Sequence, residues 1–439
     1  MELIRDSNKK WRRARWGVAL MFFTNGAVIA GLLPRYPELK DALGLSNAGF
    51  GALVAAVAVG SLVASGLPAV AIRRFGARRT ATVGTVLMAA VMALVGISPA
   101  VWAVALLLGT VGLLDAVVDA AQNVHGLFVQ EGLGKTVINS MHASWSIGAA
   151  LGGLGAALAQ GAGVGLGVHL GVSGLLVAAV TVLAYFAAAA PSVSMGAGGV
   201  SADADGAMRG GAESESGGPP GPSGAEGVEG AGMRSAGPGA TASARPRPGL
   251  RGWAFLMLLA LMAVAGALIE DVGNNWSANF LRDSVGLPLA FVGYGYVTLL
   301  VFQFLGRILG DPLTDRFGRD WVAMAGGALI ALGFGLVILQ PAAWSAFAAF
   351  ALAGFGCATL IPAAYAEANR VPGFRDGTGI TVVGWVMRIG FLFTSPAIGL
   401  IADAGSLRLA FVIPLVSGCV VVAIAVGLQV RARWVSRGG

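Results

Sequence analysis

The chain has 439 residues, of which 56% are hydrophobic and 12% charged, and its mean hydropathy is +0.77. A soluble domain carries about 25% charged residues to hold its water layer, so a water-soluble globular fold is excluded. With only two cysteines, Cys357 and Cys419, a disulfide scaffold is excluded as well. The net charge of +7 does not point to nucleic acid, because the basic residues fall between apolar runs, where they orient a membrane protein.

A helix crossing a bilayer needs roughly 20 mostly apolar residues, and twelve such runs are predicted. The first six cover about 16–34, 48–71, 80–98, 101–126, 137–159 and 164–190. The second six cover about 253–273, 288–311, 321–340, 342–366, 378–402 and 406–430. Lipid offers backbone groups no partner, and the runs are too long for barrel strands, so an all-α integral membrane fold is expected. The first run follows basic residues as a signal peptide would. It is longer than a typical signal core and eleven runs follow, so it reads as an uncleaved span. Between the two sets, Pro191 to Pro248 is almost wholly Gly, Ala, Ser, Pro and scattered acids. Such a segment buries too little to offset its ordering entropy. The expected organisation is an N-terminal six-helix bundle over 1–190, a disordered linker over 191–250 and a C-terminal six-helix bundle over 251–439.

Twenty-three Lys and Arg residues fall on one side of this topology and four (Arg35, Lys40, Arg282 and Arg408) on the other, while Arg307 and Arg388 lie inside spans. That bias predicts both termini and the linker in the cytoplasm; with 25 Arg against 4 Lys and 68 Gly, the composition of a GC-rich bacterial genome, a multi-pass protein of the bacterial inner membrane is expected. An offset of 242 carries Asp41, Gly44, Leu45 and Gly51 onto Asp283, Gly286, Leu287 and Gly293. The same offset carries Arg74-Phe75-Gly76 onto Arg316-Phe317-Gly318. The halves therefore read as parallel repeats, an arrangement that places a binding site between them near mid-membrane.

Several polar residues interrupt the apolar runs, and a charge near the bilayer centre is expensive. In the fourth run Asp115, Asp119, Gln122 and Asn123 share one helical face. Two acids one turn apart repel when both are ionised, and an acid that alternates between neutral and charged is what proton coupling requires. A hydrogen-bond stripe against a neighbouring span is the structural alternative. The seventh run closes with Glu270-Asp271 before Gly273-Asn274-Asn275-Trp276. Neighbouring helical side chains diverge by about 100°, so one of the two acids, Glu270, is expected to face a cavity, and the Gly and Asn residues suggest that the helix loosens there. Arg388 in the eleventh run is a candidate counter-ion to Asp115 or Glu270, or a ligand for a substrate anion. His142 could relay protons or serve as a packing histidine. Asn25 and Gln303 are candidate hydroxyl binders or interhelical links. Trp145 and Trp385 could stack on a sugar ring or simply pack.

The loop after the second run of each half resembles the signature of the major facilitator superfamily, roughly Gly-x-x-x-Asp-Arg-x-Gly-Arg-Arg. The second half carries Asp315-Arg316-Phe317-Gly318-Arg319 preceded by Gly306-Arg307 and Gly310-Asp311, while the first half carries Arg73-Arg74-Phe75-Gly76-Ala77-Arg78-Arg79 and lacks the acid. The resemblance covers nearly the whole chain outside 191–248. It implies twelve helices in two six-helix repeats. It also implies a cytoplasmic gate drawn from Arg74, Gly76, Arg307, Asp311, Asp315, Arg316 and Gly318, unless those arginines only anchor topology. Three patches resemble the bacterial fucose-permease-like sugar transporters: Asp115 with Asp119 and Asn123, then His142-Ala143-Ser144-Trp145-Ser146, then Asn275-Trp276-Ser277.

No paired zinc-ligand spacing and no Gly-x-x-x-x-Gly-Lys-[Ser/Thr] loop occurs, so neither an enzyme nor a cofactor is expected. The expected activity is secondary transport of a small polar solute, with a sugar as one candidate, driven by protons. Proton-driven export of a drug or amphiphilic metabolite is the alternative. The fifth run keeps the glycines of an antiporter pattern at Gly148, Gly152 and Gly153 but lacks its proline. The expected partners are a small molecule, protons and the lipid bilayer, with the protein acting as a monomer.

Overall fold

The computed structural model describes residues 2–135, 137–189, 249–368, 370–371, 374 and 378–437, with backbone alone at 2–8, 139, 251, 311, 380 and 431–437. The expected linker lies almost wholly outside these residues. All described elements are helical. In the first half they are α1 (Glu2–Ala30), α2 (Tyr36–Ala42), α3 (Asn47–Val63), α4 (Leu67–Phe75), α5 (Ala77–Val95), α6 (Val101–Leu133), α7 (Ile138–Gly161) and α8 (Leu166–Ala187). In the second they are α9 (Leu250–Asp283), α10 (Leu289–Val292), α11 (Tyr294–Phe317), α12 (Arg319–Leu339), α13 (Ala343–Cys357), α14 (Leu360–Ala368), α15 (Thr378–Ala404), α16 (Leu407–Ala410) and α17 (Val412–Arg437).

Among the described residues ten helices are long and apolar enough to cross a membrane. An eleventh span follows if α3 and α4, which meet at 59°, count as one. The twelve expected runs are thus not all matched by length and composition. The difference falls on the expected fifth run. It forms α7, a helix of 24 residues, but Asn139, His142, three serines and many glycines dilute its apolar character. Two further departures have local causes. The second run is broken at Gly66, whose φ of 89° is left-handed and ends α3. The seventh run does not loosen at Gly273, for α9 runs unbroken to Asp283. Within it Asn275 donates to Asp271 one turn back at 2.7 Å, so the polar side chains are bonded along the helix instead of opening it.

The helices pack as two bundles. In the first, α1 lies on α7 and α8, and α6 lies on α3 and α5; in the second, α12 lies on α13 and α17, and α11 on α13. The halves meet mainly along two seams, α3 against α15 and α7 against α10 and α11. Glycine permits the first seam: a Cβ on Gly51 would sit 2.3 Å from the Ser395 carbonyl oxygen.

The offset of 242 is visible in the backbone. Gly44 and Gly286 both take positive φ, 61° and 76°. Gly76 and Gly318 share a rarer conformation, φ 79° with ψ 149° and φ 83° with ψ 154°. At the end opposite the termini the repeats pair crosswise. Lys40 Nζ lies 3.0 Å from Asp283, and Arg282 lies 2.5 Å from Asp41. The Asp403 carboxylate, at the end of α15, accepts from the backbone N–H groups of Asn47 and Ala48 at 2.9 and 2.8 Å, capping α3 from the other half. Just inside this latch, Tyr36, Phe50 and Trp276 stack edge to face across the halves, with centroids 5.1 and 5.2 Å apart. Among the described residues, the hydrogen bonds and ion pairs that join the halves all lie at this end. The other end, which carries the termini and the arginine-rich turns, has none among the described residues.

Candidate functional site

Between the halves lies a cavity of about 410 Å³, lined by α1, α3, α5, α6 and α7 on one side and α9, α11 and α15 on the other. Asp115, Trp145, Glu270, Gln303, Arg307 and Arg388 all reach it. Residues more than 270 positions apart in the chain thus share one pocket.

On the first-half wall Asp115 comes from the middle of α6. Asn25 Nδ2 donates to its carboxylate at 3.1 Å, and Trp145 Nε1 donates to Asn25 Oδ1 at 2.8 Å. The chain Trp145–Asn25–Asp115 therefore ties α7, α1 and α6 together behind the acid. Asn25 is 2% exposed and does not line the cavity, so it orients Asp115 and is not placed to meet a solute. Gln122, also buried, donates to the Met21 carbonyl at 2.8 Å, the interhelical link that the sequence left open. Asp119 and Asn123 lie one to two turns nearer the terminal end of α6, outside the cavity lining. Asn123 Nδ2 donates to Asp119 at 3.1 Å, and Asn123 Oδ1 meets His142 Nε2 at 3.1 Å. The single polar stripe of α6 thus serves two separate clusters: Asp115 in the cavity, and Asp119 with Asn123 and His142 nearer the terminal end, where Asp119 and His142 are exposed.

On the second-half wall Glu270 accepts from Gln303 Nε2 and pairs with Arg307 at 3.4 Å. Arg307 stands with the gate residues in the sequence motif, but in the fold it is one turn beyond Gln303 on α11 and faces the cavity. Asp271 also lines the cavity, although adjacent helical residues diverge. Asp271 is 4% exposed and accepts from Asn275 at 2.7 Å and from Ser395 Oγ at 2.6 Å. Trp276 Nε1 donates to the same Ser395 hydroxyl at 3.2 Å. Tyr36, Tyr296, Asn274 and Ser395 join the lining without having been singled out from the sequence. Tyr36 sits in a segment that reads as a loop, and the others carry no signal until the helices are assembled.

Arg388 lines the cavity but is not the counter-ion of Asp115 or Glu270. Their partners are Asn25 on one side and Gln303 and Arg307 on the other. Among the described residues Arg388 makes no ion pair or hydrogen bond. Trp385, one turn earlier, is 48% exposed and does not line the cavity.

At the terminal end the motif residues keep to their own halves. Arg74 stacks over Phe75 at 5.5 Å and Arg316 over Phe317 at 5.3 Å, the same contact in both repeats. Asp315 is exposed and makes no ion pair among the described residues. The Asp311 side chain lies outside them. Gly76 and Gly318 make the sharp turns from α4 to α5 and from α11 to α12. The ion pairs on this side, Arg319–Glu367 at 2.7 Å and Arg370–Glu367 at 3.5 Å, are internal to the second half. Among the described residues no group of three or more His, Cys, Asp or Glu could hold a metal ion.

The sequence model of the Major Facilitator Superfamily matches residues 254–437. An uncharacterised transporter, y4wD, of Sinorhizobium fredii is 27% identical over 404 residues, covering 92% of this chain and 94% of its own. An uncharacterised superfamily transporter of Yersinia pestis is 26% identical over 429 residues, covering 95% and 94%. Among solved structures, the nucleoside transporter NupG (D323A mutant) shares the fold with a TM-score of 0.66 at 12% identity, covering 95% and 99% of the two chains. An inward-facing bacterial homologue of the lysosomal transporter Spinster gives 0.67 at 14%, covering 95% and 96%. A D-xylose-proton symporter gives 0.62 at 14%, covering 95% of each. None of these matches singles out the fucose-permease-like group. The chain is thus an all-helical, multi-pass membrane protein, similar along nearly its whole length to two bacterial transporters and over 254–437 to the Major Facilitator Superfamily model.

Proposed function

We propose that the protein moves a small polar solute across the bacterial inner membrane by alternating access, with a proton on Asp115 coupling the cycle to the proton gradient. The observation that carries this reading is a cavity lined by Asp115 and Glu270 from opposite halves, latched at one end and, among the described residues, without a hydrogen bond or ion pair between the halves at the other. In this reading α7 is the twelfth span: its 24 residues extend about 36 Å, enough for a hydrocarbon core of about 30 Å. Its polar face turns to α1 and the cavity, away from lipid. The arginine-rich turns then lie in the cytoplasm with both termini and 191–250, and the structure is the inward-open state. The fold likeness to an inward-facing homologue and to a proton symporter supports this reading.

A carboxylate that alternately faces two compartments carries a proton only if it is reprotonated on each side. Asp115 meets that need: it reaches the open cavity, and only a neutral amide holds it. For a neutral solute moving with one proton, the membrane potential would supply about 2.3 kcal/mol per 100 mV, which sustains roughly a 50-fold gradient; for a solute whose charge the proton cancels, the pH difference alone drives the step. Asp119 and His142, on the path to the cytoplasmic end, would pass protons between Asp115 and water. A second reading, proton antiport of an amphiphilic solute, is favoured by one feature: the first-half wall is largely apolar.

The test is flux in proteoliposomes under an imposed pH gradient, with lumenal acidification followed by a dye. Asp115→Asn should abolish proton-driven flux while leaving solute exchange and folding intact. Unchanged proton-driven flux in that variant would remove Asp115 from the mechanism.

A further inference from the structure

We infer that the solute is an organic monoanion with an apolar body, its carboxylate held by Arg388, and that one proton accompanies each anion. This rests on the transport reading and names its substrate class. Five charged side chains line the cavity, and four of them are already engaged inside the fold. Asp115 is held by Asn25, Asp271 by Ser395 and Asn275, and Glu270 pairs with Arg307. The fifth, Arg388, reaches into the cavity with no ion pair or hydrogen bond among the described residues; the one acid whose carboxylate feels its charge, Asp119, lies outside the lining and is bonded by Asn123 instead. While the cavity is open, water solvates it. Alternating access requires a moment when both ends are shut and that water is largely expelled, and a guanidinium then needs an anion. A neutral sugar supplies none. A carboxylate matches the guanidinium fork and forms the stronger, charge-assisted hydrogen bonds.

The opposite wall describes the rest of the molecule. Val54, Ala58, Met92, Leu108 and Val111 face the cavity from α3, α5 and α6. A hexose carries hydroxyls on every side and would leave them unpartnered against this wall, whereas an alkyl or aryl group is matched by it. The volume of about 410 Å³ falls within the range of roughly 300–1,000 Å³ for small-ligand sites.

Charge balance links anion to proton. With every group ionised, three carboxylates and two guanidiniums give the lining a charge of −1. One proton neutralises the empty cavity, and a bound monoanion calls for one more. The sealed, loaded state therefore carries one proton more than the sealed, empty one, which makes the step electroneutral.

The experiment uses the full-length protein and five probe acids (benzoate, phenylacetate, 4-phenylbutyrate, hexanoate and octanoate), each beside its primary amide, with D-xylose and D-glucose as neutral polyols. Binding is read by thermal shift in detergent, and flux in proteoliposomes. At least one acid should bind tenfold or more tighter than its amide. Arg388→Gln should erase that difference, Arg388→Lys should keep part of it, and gel filtration should show both variants folded. Equal binding of acids and amides, a preference that survives Arg388→Gln, binding of the polyols alone, or no binding of any probe would each overturn the assignment. The two proposals fail separately. Proton-driven polyol flux that persists in Arg388→Gln keeps the transporter and discards the anion. Carboxylate-selective binding with flux indifferent to the pH gradient keeps the anion and discards proton coupling.

Discussion

Asp403 gives the sharpest test of how the far end is held shut. Its carboxylate belongs to the second half, and the two N–H groups it accepts from, on Asn47 and Ala48, belong to the first. The contact exists only while the halves are joined there. When they part, water solvates the carboxylate, and α3 retains its own cap, since Ser46 Oγ accepts from the Gly49 N–H at 3.1 Å. Asp403→Ala should therefore act on the conformational equilibrium and leave folding almost untouched. Loss of a capping side chain costs typically about 1 kcal/mol within a range of about 0.5–2, and a carboxylate at a helix N-terminus adds roughly 0.3–1 kcal/mol where exposed. Asp403 is exposed, so the sum is about 1–2 kcal/mol, or roughly a 5- to 30-fold shift toward a parted far end. Asp403→Asn keeps one neutral acceptor oxygen and should fall between. Spin labels at Ala42→Cys and Leu409→Cys, both at the far end, would report the change as a longer-distance population in pulsed electron resonance. A distance distribution identical to that of the parent would refute the reasoning. So would a fall in melting temperature without a distance change, which would make Asp403 an ordinary structural cap.

Two other perturbations separate interfaces between the halves from interfaces within one. A Cβ on Gly51 would meet the Ser395 carbonyl oxygen of the other half at 2.3 Å, whereas one on Gly60 would meet the Gly109 carbonyl oxygen of its own half at 1.8 Å. Overpacking costs about 1–3 kcal/mol; Gly60→Ala should lower the melting temperature whichever end is open, while Gly51→Ala should shift the same label distances at nearly unchanged melting temperature. Trp145→Phe removes the indole donor to Asn25 and frees the amide that orients Asp115. At about 1 kcal/mol for one hydrogen bond, proton-driven flux should fall roughly fivefold, and an unchanged rate would show that the Trp145–Asn25–Asp115 chain does not position the acid.

Much of the scaffold can be read from the residues, because lipid leaves little choice: a run of some twenty apolar residues must be a helix. The same rule loses its grip on α7. That helix faces α1 and the cavity, tolerates His142, Ser144 and Ser146, and so gives a weak apolar signal. The stripe of Asp115, Asp119, Gln122 and Asn123 follows from helical geometry alone, yet its division among a cavity wall, a cluster with His142 and a buried link to α1 depends on which helix covers which turn. Asn25 and Arg307 show why partners stay hidden. Each meets its acid from another helix, across 90 and 37 positions of chain, and no periodicity within one helix encodes that meeting. Asp271 was readable in part, since Asn275 stands one turn after it, but its second partner Ser395 is 124 positions away. Asp403 is the extreme case, reaching its partner across 356 positions and two bundles.

The repeat explains the latch, and its imperfections explain the site. A pseudo-twofold axis that exchanges residues 242 apart requires that if Lys40 meets Asp283, then Asp41 must meet Arg282, which is the observed crossed pair. An axis of this kind also exchanges the two seams, α3 against α15 and α7 against α10 and α11, so the halves grip each other alike on both sides of the cavity. The same offset carries Gln303 onto Ser61 and Arg307 onto Ser65, within a stretch whose flanking residues Gly51 and Arg74 still match Gly293 and Arg316. The second half therefore holds a polar amide and a charge where the first has two small hydroxyls. Its helix α11 runs on through those positions, while the first half bends by 59° just beyond Ser65. Symmetry in the frame supplies two matched seams, and asymmetry in the lining presents one polar wall and one apolar wall to whatever enters. A cargo held between such walls has a single orientation, and that orientation must survive the passage from one open end to the other.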